Sequence, residues 1–355
     1  MLLHFETPLT LTPWATAGAV RFLVSPLARA MRDATAGSTS AVGWQELVNK
    51  TDVITAVEGA ARDGSLTDLL HGAALSDAFI RLWVLEGTGR RFMDRLLQQD
   101  RARAFSRAIP GSASSGERAM LHAGMGMALG IACLADLPSC GCGSGLRTGL
   151  RDFVGNCRSY SQCGYAGAAL ESLGLVTRFL RPDLVSTIDR VLCQSEPDTL
   201  AYFWHGAGRA IYFLPSNLAQ AVTGRRDDVL SAKAEPPHAV GYANALVGWA
   251  WAVALVNLHH PPVIEAAFGD CQPADSALLA YAVWSAVSIR RAVDRTDRSV
   301  TALLQYQPRH SNAAFASFWD LTVRRPAARA LRIRVDDVER LYRIDVPHAM
   351  KARCA

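Results

Sequence analysis

The chain is a succession of long apolar stretches separated by short polar breaks, and its apolar positions keep helical spacing. Residues 117–136, "ERAMLHAGMGMALGIACLAD", contain nothing but glycine to interrupt a helix for about five turns. Residues 239–258, "AVGYANALVGWAWAVALVNL", run without a charge. Strict alternation, the mark of a half-buried strand, occurs only in "LRIRV" (331–335), and no series of strands is visible. The pattern predicts an all-α protein.

The apolar stretches repeat. "GMAL" at 126–129, "GAAL" at 167–170, "GRAI" at 208–211, "GWAW" at 248–251 and "AVSI" at 286–289 align, with first positions Gly126, Gly167, Gly208, Gly248 and Ala286. The spacing is close to forty residues each time, and the pattern is small, any, small, large. Glycine inside a helix costs up to about 1 kcal/mol against alanine. Its recurrence at one position predicts close helix–helix approach, since glycine removes the side chain that holds backbones apart. Second apolar segments lie between the copies, such as "DLVSTIDRVLCQ" (183–194) and "PPVIEAAF" (261–268). The expected architecture is a helical array of about five two-helix repeats of about forty residues. It divides into an N-terminal helical region (1–115), the repeat core (116–295), and a C-terminal helix and tail (296–355).

Composition agrees with small-residue helix packing: half of the residues are hydrophobic and 27 are glycine. The net charge is +5, but acids are interspersed in both arginine-rich segments, 89–103 and 324–343. No basic stripe with stacking aromatics is present, which argues against nucleic acid as a partner. The first twenty residues lack a basic region and are broken by Pro8 and Pro13, so a cytoplasmic location with reduced cysteines is expected. Segment 239–258 is long enough to span a bilayer. Asn244 and Asn257 lie within it and Pro261 and Pro262 follow, so we read it as a buried helix rather than an integral membrane span.

The glycines of "HGAGRA" (205–210) lack the G-x-G-x-x-G spacing and follow no strand, so a dinucleotide loop is excluded there. No Walker loop, nucleophile elbow, H-E-x-x-H or EF-hand occurs. Four thiolates at Cys140, Cys142, Cys157 and Cys163 have the number for tetrahedral zinc, but C-x-C is not the usual C-x-x-C knuckle, and we assign no metal or other cofactor.

Five blocks, "LHAGMGMALGIACLAD" (121–136), "GYAGAALESLG" (164–174), "HGAGRAIYFLP" (205–215), "GYANALVGWAWAVAL" (241–255) and "LLAYAVWSAVSIRRAV" (278–293), resemble a bacterial family of unknown function. Its members are encoded beside enediyne and other polyketide biosynthesis genes. The Gly206, Gly208, Arg209, Ala210, Phe213 block is most like the family pattern, and "ANALVGWAW" departs from it. The resemblance covers residues 116–295. It implies a setting in bacterial secondary metabolism and supplies no catalytic residues.

Candidate chemistry comes from polar residues inside the repeat helices. His122, Glu171 and His205 stand at offsets −4, +4 and −3 from their repeat glycines, read as one broad face, with Arg209 at +1 placed off it. They are the candidate catalytic residues, histidine and glutamate together suiting acid–base work. Trp204, Arg209, Tyr212, Tyr242, Asn244, Trp249, Tyr281 and Trp284 are the candidate ligand-binding residues, an aromatic lining for a hydrophobic molecule. The expected function is binding or conversion of a polyketide- or isoprenoid-like intermediate in a helical pocket. The alternatives are a non-catalytic helical scaffold for a biosynthetic protein partner, and a non-standard terpene cyclase. The acid pairs "RDDVL" (226–230) and "VDDVER" (335–340) are expected to be caps or surface pairs outside the repeat blocks.

Overall fold

The computed structural model describes residues 28–35, 39–60, 63–135, 144–223, 227–309, 312–332 and 338–343. These residues are almost entirely helical, and no strand occurs among them. "LRIRV" does not form the expected strand in the part described: Leu331 and Arg332 end the helix Arg325–Arg332, and 333–335 lie outside the described residues.

Seven helices form the interior: α1 (Thr39–Glu58), α2 (Ala78–Gln98), α3 (Ser115–Ala135), α4 (Ala166–Leu180), α5 (Leu200–Phe213), α6 (Ala239–Asn257) and α7 (Ser276–Val293). Shorter helices connect them, among them Ser144–Tyr160, Val185–Ser195, Asp227–Ala234 and Pro261–Gly269. Local sequence sets the starts. Asp77 accepts from the Phe79 amide at 2.8 Å to cap α2. Ser114 and Glu117 form a reciprocal capping box at α3, where the linker "IPGSASSGE" gives way to helix. His238 caps α6 through Nδ1, which accepts from the Gly241 amide at 2.9 Å.

Helices α2 to α6 pack in succession, one on another, at points where backbone meets backbone. A Cβ at Gly126 would strike the Ala169 carbonyl; at Gly208, that of Ala245; at Gly248, that of His205. Gly167 faces the Tyr202 ring on α5. All four repeat glycines therefore face a neighbouring helix. The pattern extends beyond them. Gly89 meets Leu121 and Gly124 meets Glu86 between α2 and α3, and Gly174 meets Phe203 and Gly206 meets Glu171 between α4 and α5. At the α3–α4 contact Ser172 stands where a glycine stands elsewhere, and its hydroxyl donates to the Ala123 carbonyl at 2.8 Å. The series returns on itself, because Gly116 at the start of α3 lies against Ala292 and Val293 at the end of α7.

One hydrophobic core runs from Val53 to Tyr342 and crosses both segment boundaries drawn from the sequence. α3 and α6 are long and apolar enough to cross a membrane by length and composition, but 72% and 89% of their apolar windows are buried within the protein.

Candidate functional site

Side chains from α2, α4, α5 and α6 converge with the turn Val338–Tyr342. Arg209 donates from Nη2 to Glu86 Oε1 at 2.7 Å, and its Nη1 lies 3.6 Å from Glu171 Oε1. His205 Nδ1 is 3.3 Å from the same Glu171 oxygen, at an angle that makes no hydrogen bond. The Arg209 guanidinium lies over the rings of Trp83 (5.7 Å) and Trp251 (5.3 Å). The Tyr342 and Trp251 rings meet His205 edge-on at 6.2 and 5.8 Å. Every member is at most 3% exposed.

The close approaches explain why these side chains meet. Glu86, Glu171 and His205 each stand three residues before a glycine, Gly89, Gly174 and Gly208. Their own carbonyls are the atoms that touch the neighbouring helix's glycine: Glu86 against Gly124, Glu171 against Gly206, His205 against Gly248. Each polar residue is thus fixed at a point where two backbones touch. Arg209 follows His205 by one turn.

Two carboxylates share this site with one guanidinium and one imidazole. Burial pushes the Glu86 carboxyl above its ordinary range, Arg209 works against that, and Glu171 adds to it. Burial opposes the charge on Arg209, but Glu86 and Glu171 more than offset it and raise its pKa. Burial likewise raises the Tyr342 phenol well above its ordinary value. The site leaves many of its polar atoms without a hydrogen bond. Among the described residues none is made by either Glu171 oxygen, either His205 nitrogen, Arg209 Nε and Nη1, Tyr342 Oη, or the indole nitrogens of Trp83 and Trp251. Native proteins leave few such groups, because each costs about 1–3 kcal/mol.

The other candidates fall elsewhere. His122 does not join Glu171 and His205. Its Nδ1 lies 2.6 Å from the Arg118 carbonyl, its Nε2 accepts from the Gln162 amide at 3.0 Å, and its ring stacks on Tyr165. The error was angular: at about 100° per residue, offset −3 lies about 40° from +1 and about 100° from −4. Arg209 therefore belongs with His205, and His122 does not. Trp204 donates to Asp189 at 2.7 Å and Trp249 to Asp228 at 3.0 Å. Asp228, expected in a surface or capping pair, is buried. The Tyr212 hydroxyl accepts from Asn257 at 2.8 Å, and the Lys50 ammonium lies over its ring at 3.8 Å. Tyr242 donates to Asp275 and Asn244 to the Val240 carbonyl. Tyr281 and Trp284 line a surface cavity of about 470 Å³ beside Arg325 and Arg329. The eight proposed ligand-binding residues therefore do not share one pocket, and Arg209 is the one that reaches the buried cluster.

Sequence reading missed Glu86, Trp83 and Tyr342. The signal for Glu86 was available: "EGTG" (86–89) has the same acid-or-histidine, two residues, glycine pattern as "ESLG" (171–174) and "HGAG" (205–208). Tyr342 had none.

A second polar group holds Asp189, Cys193 and His238, whose ligand atoms all lie within 4.8 Å of one another. It fits a cation poorly. His238 Nδ1 accepts from the Gly241 amide, so Nε2 carries the proton and donates it to Asp189 at 3.0 Å, and no ring lone pair is left for a metal. Of the four cysteines weighed for zinc, Cys157 is buried and Cys163 exposed, while Cys140 and Cys142 lie outside the described residues.

No protein-family model, curated protein or solved structure matches this chain.

Proposed function

We propose that this protein binds an apolar, carbonyl-bearing intermediate of polyketide or isoprenoid type at the Glu86–Glu171–His205–Arg209 cluster. Glu171 and His205 move a proton on it. The observation that carries this reading is the set of buried polar atoms that make no hydrogen bond among the described residues, gathered in one aromatic-walled site. Arg209 supplies a fixed positive charge where an enolate-like oxygen would develop, and a dry site strengthens that interaction. Glu171 and His205, side by side, form a couple able to accept and return a proton. Trp83 and Trp251 give the apolar walls such a molecule needs. The family resemblance of residues 116–295 supports a place in bacterial secondary metabolism. A closed convergence of polar groups favours this reading over the scaffold, which would offer an open groove.

A second reading rests on the near-complete burial of the cluster beneath Tyr342: a fixed ionic core that never meets a ligand. Native mass spectrometry of protein taken from its own host, followed by denaturing extraction, separates the two. We expect a released polyketide- or isoprenoid-like compound from the wild type and its loss in a folded Glu171→Gln, His205→Gln double variant. Release of nothing from the wild type would sink the ligand reading in favour of the ionic core.

A further inference from the structure

A second cavity lies on the surface, where the end of α7, the start of α3 and the end of helix Arg325–Arg332 come together. It is a cleft of about 720 Å³. Arg291, Arg295 and Arg332 line it, and no acidic side chain does among the described residues. The nearest acid at the α3 start, Glu117, is already engaged by Arg81 and the Ser114 amide. The start of a helix of 21 residues also faces the cleft through Ser114 and Ser115. The capping box consumes the Ser114 and Glu117 amides and leaves those of Ser115 and Gly116 without a capping side chain. Ser288 forms part of the wall, is 5% exposed, and its hydroxyl makes no hydrogen bond among the described residues. Arg291 is held in place by the Ala330 and Leu331 carbonyls at 3.2 and 2.6 Å.

Three guanidinium groups, a helix start and a spare hydroxyl select a multiply charged anion with many acceptor oxygens, which describes a diphosphate better than a carboxylate. The cleft is much larger than such an ion. Its remaining wall is aliphatic, with Ala292, Val293 and Leu331, and among the described residues no aromatic ring lines it to stack on a base. We propose that this cleft binds a diphosphate ester with an aliphatic tail, the arginines and Ser288 holding the diphosphate and the aliphatic wall holding the chain. This site is separate from the buried cluster and does not depend on its function.

Titration calorimetry on the full chain tests it, with geranyl diphosphate, inorganic diphosphate and geraniol as probes. We expect geranyl diphosphate to bind at least ten-fold more tightly than inorganic diphosphate, and geraniol not to bind. An Arg295→Gln, Arg332→Gln double variant should weaken geranyl diphosphate at least ten-fold at an unchanged melting temperature, since both side chains are exposed. Ser288→Ala should weaken it several-fold. Equal affinity for the ester and the inorganic ion, absence of binding, or full binding by the double variant would each overturn the proposal.

Discussion

The charge on Arg209 is tolerable only because two carboxylates stand beside it. A buried ion that loses its partner costs about 3–5 kcal/mol, far more than a surface pair contributes. Arg209→Met leaves Glu86 and Glu171 facing each other in a dry interior, and we expect that loss in urea unfolding. Adding Glu86→Gln to the same chain should restore part of it, because one uncompensated charge is removed; a double variant no more stable than the single would show that the three groups do not interact. His122 gives a residue-scale prediction of a different kind. Burial, only partly opposed by the Arg118 carbonyl, lowers its pKa from 6.5 to about 4. The unfolded chain therefore binds a proton that the folded chain refuses between these values. Stability should be full above pH 6.5 and fall by about 3 kcal/mol as pH drops toward 4. Burial depresses His259 to about 3 and His260 to about 4, which act in the same direction. Unfolding free energies of wild type and His122→Gln across this range check the sign, and parallel curves would refute it.

At the scale of elements, the decisive contact is backbone against backbone. Gly208 and Gly248 each stand where a methyl group would meet a carbonyl oxygen of the neighbouring helix, so alanine there must push whole helices apart. Gly208→Ala should cost about 3 kcal/mol or more, the upper range for overpacking. Gly155 is the control. It sits within helix Ser144–Tyr160, is exposed, and has nothing within 4 Å of where its Cβ would be. Alanine there should raise stability by about 0.5–1 kcal/mol through helix propensity alone. Opposite shifts in melting temperature are the expected result, and equal shifts would remove the packing role of Gly208.

For the whole molecule, the final turn matters more than its length suggests. Leu341 and Tyr342 are at most 1% exposed, and Tyr281 and Ser285 of α7 donate to the Arg343 and Leu341 carbonyls at 2.7 and 2.5 Å. That turn covers His205 and Trp251. A chain ending at residue 337 should keep its helices by circular dichroism, while His205, fully buried in the intact protein, becomes open to modification by diethyl pyrocarbonate. Protection of His205 in the shortened chain would show that the helices alone seal the cluster.

The sequence by itself determined the helical class and the places of close helix contact. Periodicity and small residues act locally, and Gly126, Gly167, Gly208 and Gly248 do what their spacing implied. It also marked Glu171, His205 and Arg209 as residues out of place in apolar helices. Only the tertiary structure decided which of them meet. Glu86 lies 123 residues from Arg209, and Tyr342 enters from a tail with no repeat signal. A register between helices depends on which backbones touch, and a partner brought from a distant segment leaves no trace in the local pattern. The same holds for His122, whose identity suggested catalysis and whose ring nitrogens the fold assigns to two backbone groups.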